Sequence, residues 1–266
     1  MTQTAIAASR LDTEPLRQRL QHAPALLGMF SMVASIEVVE MIGLSGFDFV
    51  ILDMEHGPYG VQALGPLILA ARARGLTTLA RVRANDPALI GAALDVGADG
   101  VLVPQVCSAQ AARDLVDAAR FAPQGRRGVN PWVRAADYAG GPDWFERANA
   151  SVGVIAMVEG PEGLAAVQDI LDVDGLDAVF LGPVDMAQSL GLGLQPEHPR
   201  VIEAISAVVE VAARKGKATG VFAPTPAAAR RWLERGVRFV AVSEDSAVIC
   251  TAFGRLRDEI GPAPGA

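Results

Sequence analysis

Short apolar, β-branched runs alternate with longer Ala-rich stretches along nearly the whole chain. Eight runs read as strands: Ala25–Phe30, Asp48–Asp53, Thr78–Val82, Gly100–Val103, Val152–Val158, Ala178–Leu181, Ala218–Phe222 and Phe239–Val242. A strand buried on both faces reads as a nearly continuous apolar run, as these do. Between them lie Val61–Arg74, Pro87–Val96, Ala109–Arg120, Glu162–Leu171, Pro199–Lys215, Pro226–Arg235 and Ser246–Ile260, whose apolar residues recur at helical spacing. Gly75, Gly97, Gly216 and Gly236 close several of them, as helix C-termini prefer. Eight strand–helix units with no break in composition predict an α/β chain folded as one (β/α)8 TIM barrel. The barrel is expected over residues 25–260, after an N-terminal tail and lead-in at 1–24 and before a frayed C-terminal tail at 261–266. The alternative is a doubly wound open sheet. It is weakened because no strand runs into a glycine-rich dinucleotide loop.

Several classes of function fall away on composition. The net charge of −7 argues against nucleic acid as a partner. No apolar run approaches the roughly 20 residues of a membrane span, and the N-terminus lacks the apolar centre of a signal peptide. Cys107 and Cys250 are far apart and show no metal or redox spacing. They are expected to be two buried thiols of a soluble cytoplasmic protein.

One segment departs from the rhythm. Residues 121–150 are rich in Pro, Gly and Arg and hold two of the three tryptophans, Trp132 and Trp144. A connection this long in a compact barrel is usually functional or an oligomer contact.

In such a barrel the catalytic groups sit where strands end and the βα loops begin. The second strand ends in Asp53, Glu55 and His56, the third in Arg81 and Arg83, the fifth in Glu159 and the sixth in Asp185. Glu159 and Asp185 follow consecutive strands, so the barrel sets them side by side. Two carboxylates with no His or Cys nearby in sequence suit a hard divalent cation with open positions for water and substrate. They could equally cap the helices that begin there, beside Pro161 and Pro183. Arg81, aimed into a barrel mouth, needs an anion, which could be a substrate or a loop acid. His56, beside two carboxylates, could serve as a base near neutral pH or be held for structure. Arg83 and Asn85 read as ordinary loop residues. In "GPVD" (182–185) the N–H groups of the next helix could hold a carboxylate.

Five stretches taken together, "LDMEHGPYG", "ARVRANDPALIGAALDVGADGVLVPQV", "RRGVN", "AMVEGPEGL" and "VFLGPVDMAQSLG", resemble the HpcH/HpaI aldolase family in order and spacing, over residues 25–250. The resemblance implies a (β/α)8 barrel, usually a homohexamer with a swapped C-terminal helix. It implies a class II aldolase that reversibly cleaves 4-hydroxy-2-keto acids to an aldehyde and pyruvate, or a related 2-keto acid such as hydroxypyruvate. It further implies Glu159 and Asp185 as ligands of a divalent metal ion, Mg2+ or Mn2+ with Co2+ a further option. Arg81 would hold the keto oxygen and the growing enolate charge. His56 would move a proton, oriented by Asp53 or Asp95. Gly182, Pro183, Val184 and Asp185 would bind the keto-acid carboxylate. No lysine ends a predicted strand, which agrees with a metal in place of a Schiff base. Met157, Val184 and Met54 stand where the family often has Gln, Ala and Gly, so the substrate range is expected to differ.

Two other functions compete. A citrate lyase β-like or malyl-CoA lyase-like enzyme would use the same two acids but needs cations for coenzyme A phosphates. Arg126, Arg127 and Arg134 are the candidates. A non-catalytic barrel would be favoured by the loss of Glu159, Asp185, Arg81 or His56, and all four are present.

Overall fold

All eight apolar runs form strands in the computed structural model, which describes residues 14–141 and 143–261. They are β1 (Leu26–Ser31), β2 (Phe49–Asp53), β3 (Thr77–Arg81), β4 (Gly100–Val103), β5 (Gly153–Val158), β6 (Ala178–Leu181), β7 (Ala218–Ala223) and β8 (Phe239–Glu244). Each pairs in parallel with its sequence neighbours, and β8 returns to β1 to close the barrel. The boundaries lie within a residue or two of those expected, because strands buried on both faces leave an unbroken apolar signature.

The helices expected from periodicity form as α3 (Val61–Ala73), α4 (Pro87–Asp95), α5 (Ala109–Ala119), α10 (Pro199–Arg214), α11 (Pro226–Glu234) and α12 (Asp245–Ile260). The expected helix at 162–171 is two short ones, α7 (Pro161–Ala165) and α8 (Val167–Leu171). Four helices go beyond the periodicity: α1 (Leu16–His22), α2 (Ile36–Leu44), α6 (Trp144–Ser151) and α9 (Pro183–Ser189).

Two packing layers result. Outside, the strands' alternate side chains meet the inner faces of the helices. Inside, Phe30, Phe49, Phe180 and Phe239 fill the barrel with Ile51, Leu79, Leu102, Ile155 and Met157. The phenylalanines fit because of what faces them. A Cβ on Gly220 would lie 2.4 Å from the Phe239 ring and 2.5 Å from Phe180.

The lead-in corrects one expectation. Residues 16–22 are not a loose tail: Leu16 and Leu20, one helical turn apart on α1, close the barrel floor and are 2% exposed. Each such burial stabilises the fold by about 1.5–3 kcal/mol. The rest of the expected tails, 1–13 and 262–266, lies outside the described residues.

A polar layer surrounds this floor. The fully buried Arg120 donates to the carbonyls of Asn149 (2.7 Å), Val152 (2.8 Å) and Gly175 (3.2 Å) and to Asp177 (2.7 Å). Arg17 reaches the other oxygen of Asp177 at 2.9 Å. This knot also ties down the irregular segment after α5. Phe121 packs against Trp144 and Phe145, and Asn149 bonds both the N–H and C=O of Phe121. Val129, Trp132 and Tyr138 of the same segment stay exposed.

The cysteine expectation also fails: both Cys107 and Cys250 are free and exposed. Cys107 sits in the loop after β4 and Cys250 on α12, outside both packing layers. Among the described residues, no helix is long and apolar enough to cross a membrane.

Candidate active site

Register alone brings the first two polar groups together. Asp53 and Arg81 end adjacent strands and are direct partners in the β2–β3 ladder. Arg81 donates from Nε to Asp53 Oδ1 (2.8 Å) and from Nη2 to Oδ2 (2.6 Å), a two-pronged contact. Such pairs fix orientation as well as charge. The remaining nitrogen, Nη1, points elsewhere: it lies 3.1 Å from Glu55 Oε2 and 4.0 Å from Met157 Sδ. The guanidinium also rests over the Phe30 ring, 4.7 Å from its centroid. Burial works against the Arg81 charge, but Asp53, Glu55 and Glu159 more than offset it and hold the arginine firmly protonated.

The loop after β2 is anchored from both sides. Asp53 Oδ1 accepts from the Glu55 N–H at 2.9 Å and the His56 N–H at 3.4 Å. Arg83 donates to the carbonyls of Met54 (2.7 Å) and Tyr59 (3.2 Å), so it clamps both shoulders of the loop. Its place among ordinary loop residues is therefore corrected. Tyr59 in turn donates to the Ser31 carbonyl (2.7 Å), and Ser31 to the buried Asp245 (2.9 Å).

Glu159 and Asp185 converge across Gly182. A Cβ built on Gly182 would lie 3.2 Å from Asp185 Oδ2 and 3.3 Å from Glu159 Oε2. Neither α7 nor α9 has a side-chain cap, so the capping alternative is not what these acids do. Glu159 Oε1 instead accepts the Gln105 N–H from the loop after β4, at 2.9 Å. Burial pushes the Glu159 carboxyl up; the Gln105 hydrogen bond opposes this, and Asp185 and Glu55 add to it. Glu55 is likewise raised by burial, against the pull of Arg81 and His56. Glu55 has no role in the sequence-based site, although it stands beside His56 in "DMEH". Its contact with Arg81 depends on how the loop folds back over β3.

The donor set fits a hard divalent cation. Two acids of consecutive strands face one another over a glycine, and the nearby charge is in acidic excess. Mg2+ in particular is often held by one or two carboxylates, with waters and substrate completing the shell. Among the described residues, no group of three or more His, Cys, Asp or Glu side chains gathers as a closed cage.

The structure does not bring every expected residue together. His56 is exposed, and Asp53 meets it through its backbone, the carboxylate being engaged by Arg81. Asp95 is the last residue of α4, which runs back to the N-terminal face of the barrel, and it pairs there with Arg127 at 2.6 Å. Within one chain, neither acid therefore orients the His56 ring, because one is taken by Arg81 and the other is at the wrong end. Pro183 is buried and Val184 half-buried at the start of α9, beside the exposed Asp185.

Known proteins resemble this chain over nearly its whole length. The family model described as HpcH/HpaI aldolase/citrate lyase matches residues 26–252. The 5-keto-4-deoxy-D-glucarate aldolase of Klebsiella pneumoniae is 36% identical over 232 residues, 87% of this chain and 91% of that one. Among solved structures, an HpcH/HpaI aldolase/citrate lyase family protein from Burkholderia cenocepacia superposes with a TM-score of 0.88 at 34% identity, over 93% of this chain and 99% of that one. The citrate synthase SbnG gives 0.84 at 31% identity, over 92% and 96%.

Proposed function

This chain belongs to the HpcH/HpaI aldolase/citrate lyase family and is an aldolase, a carbon–carbon lyase; from that premise we propose that it reversibly cleaves 4-hydroxy-2-keto acids to pyruvate, or a related 2-keto acid such as hydroxypyruvate, and an aldehyde. The observation that carries this reading is the meeting of Glu159 and Asp185 over Gly182 at the same strand ends as Arg81. Relatives named for 5-keto-4-deoxy-D-glucarate favour a sugar diacid as the substrate.

Glu159 and Asp185 would hold Mg2+ or Mn2+. When bound, such an ion supplies Lewis-acid stabilisation of charge on substrate oxygens. Arg81 would act through Nη1, the nitrogen that Asp53 leaves open, on the keto oxygen as it takes up negative charge. The first-turn N–H groups of Val184 and Asp185 have no partner within their own helix by geometry and would meet the substrate carboxylate; Pro183 has no N–H to offer. Cleavage needs the 4-hydroxyl proton removed while the C3–C4 bond breaks and its electron pair moves onto the keto oxygen. His56, exposed on a clamped loop, would take that proton, and a proton is then returned to carbon. The methyl end of Met157 lies 3.3 Å from where a Cβ on Gly182 would stand, and Val184, larger than the alanine frequent in the family, would narrow the donor pocket.

We also assign the chain to a homo-oligomer of cytoplasmic location. Helix α12 is exposed along nearly its whole length, with Phe253 67% and Ile260 79% exposed. Such a face suits burial against further copies, and a hexamer is the expectation. Two free, exposed thiols suit a reducing compartment. The second reading, chemistry of the citrate lyase type, draws on the likeness to a citrate synthase. For coenzyme A, Arg127 is buried against Asp95, which removes one of the three candidate cations and leaves Arg134 and the exposed Arg126, paired at the surface with Asp117.

Deuterium exchange into the methyl group of pyruvate, followed by NMR in D2O, tests the proposal. Exchange with Mg2+ or Mn2+ that stops with EDTA is expected. No exchange with pyruvate, hydroxypyruvate or oxaloacetate under any metal would overturn it.

A further inference from the structure

Among the described residues, four other than glycine have a positive φ: Gln105, Asp137, Tyr138 and Ser243. Two belong to the long surface segment. Gln105 and Ser243 sit instead at strand ends on the rim that carries the site. The β4–β5 pairing ends with Val103 and Ala156, and the Val106 N–H then returns to the Met157 carbonyl at 3.0 Å. Pro104 and Gln105 are the turn between these contacts, a local irregularity of the bulge kind that re-aims a backbone group. At φ 55°, the Gln105 N–H turns inward and meets Glu159 Oε1 at 2.9 Å. Its side chain is exposed. A long side chain in this region is strained, and such strain persists where surrounding structure enforces it.

We propose that Gln105 is a positioning residue for the cation site: its left-handed backbone, rather than its side chain, fixes Oε1 of Glu159 and thereby turns Oε2 toward Asp185 across Gly182. This rests on the reading that Glu159 and Asp185 hold a divalent cation. Metal-bound side chains are commonly oriented by such outer hydrogen bonds, whose loss costs about 10–100-fold in affinity. The role belongs to backbone conformation, so it makes an unusual demand on substitutions. Metal affinity should follow tolerance of the left-handed region, whatever the side-chain chemistry.

The test is Mn2+ binding by calorimetry and by EPR of free Mn2+, on the purified protein without substrate. Gln105→Gly and Gln105→Asn, which accept positive φ, should bind as tightly as the natural protein, within about twofold. Gln105→Val, which resists it, should bind about tenfold more weakly or worse. Circular dichroism of each variant confirms that the barrel is intact. If the valine variant fails to fold, Gln105→Ala replaces it and should bind more weakly than the glycine variant. Equal affinity across the series would overturn the proposal, as would an equal loss in the glycine and valine variants, which would assign the effect to the side chain. A separate arm tests the underlying reading. If the natural protein binds Mn2+ and Glu159→Gln does not, the cation site stands whatever Gln105 does. If the natural protein binds no Mn2+, the cation site and this inference fall together.

Discussion

The barrel has a buried arginine–aspartate pair at each end, and the two are built for opposite purposes. At the floor, Arg120 and Arg17 share the single carboxylate of Asp177, and three carbonyls take further Arg120 donors. The surplus there is positive, and backbone oxygen answers it. At the mouth, Arg81 is gripped by Asp53 and touched by Glu55, while Glu159 and Asp185 stand close by. The surplus there is negative, four carboxylates to one arginine, and burial pushes two of those acids up. Burial acts at the floor too, pushing Asp177 up and Arg120 down, and Arg120 Nε is left without a partner, but carbonyls and one carboxylate answer the rest of that knot, which makes it a fastening. A cluster left short of positive charge at a strand-end rim is where the proposed cation would sit.

If that contrast is right, removing a mouth acid should harm function and spare the fold. Glu159→Gln should lose divalent-ion binding and cut turnover roughly a thousandfold or more, the several kcal/mol a bound cation contributes. Its melting temperature should hold or rise, since a half-buried carboxylate among other acids is relieved. Melting curves and Mn2+ binding on one preparation check both halves; a variant that unfolds while the remainder stays active would erase the contrast.

The mirror experiment is at the floor. Arg120→Met strips Asp177 of its more deeply buried partner and should cost about 3–5 kcal/mol of stability, the usual penalty for leaving one member of a buried pair. Denaturant unfolding reads that loss. Turnover per folded molecule should stay unchanged below the new melting point.

Arg81→Lys sharpens the comparison within the mouth itself. Lysine keeps a charge beside Asp53 but cannot grip both oxygens and also present Nη1 to a substrate. Catalytic efficiency, kcat/KM, should fall by roughly a hundredfold to a thousandfold, about 2.7–4 kcal/mol of barrier, as for loss of an oxyanion donor. A change below about 1 kcal/mol would remove Arg81 from the chemistry and make the mouth pair a fastening like the floor's.

Much of this contrast is legible in the sequence, but unevenly. The strands are, because Val, Ile, Leu and Phe in unbroken runs admit few other readings. The rim residues Asp53, Arg81, Glu159 and Asp185 are, because each lies at or just beyond the end of such a run. Helix α1 is not: seven residues with only Leu16 and Leu20 buried give too short a pattern to separate from a tail. Helix α9 shows only its start, which Pro183 marks, since "PVDMAQS" is too short to display a helical period. The partners across the fold are least visible. Nothing near Arg127 points to Asp95, 32 positions earlier, and nothing near Gln105 points to Glu159, 54 positions later. Asp95 is different: the expected helix Pro87–Val96 already ends there, so within one chain it lies on the face away from His56.

The smallest expected effect is also the most direct measure of charge imbalance. The Glu55 carboxyl is raised above its ordinary 4.5 because burial penalises its charge more than Arg81 and His56 favour it. Folded protein therefore holds that proton to higher pH than unfolded protein does. Stability from this group is fully present below 4.5 and is lost as pH rises from there through the folded value. An ordinary salt-bridged carboxylate behaves in the opposite way. Urea unfolding of the natural protein and Glu55→Gln, in EDTA at a series of pH values from acid to neutral, isolates this contribution as a difference. The natural protein should lose ground to the variant as pH rises. If it gains instead, pairing with Arg81 outweighs burial, Glu55 belongs to a satisfied ion pair, and the acidic surplus at the mouth is one carboxylate smaller than the contrast with the floor requires.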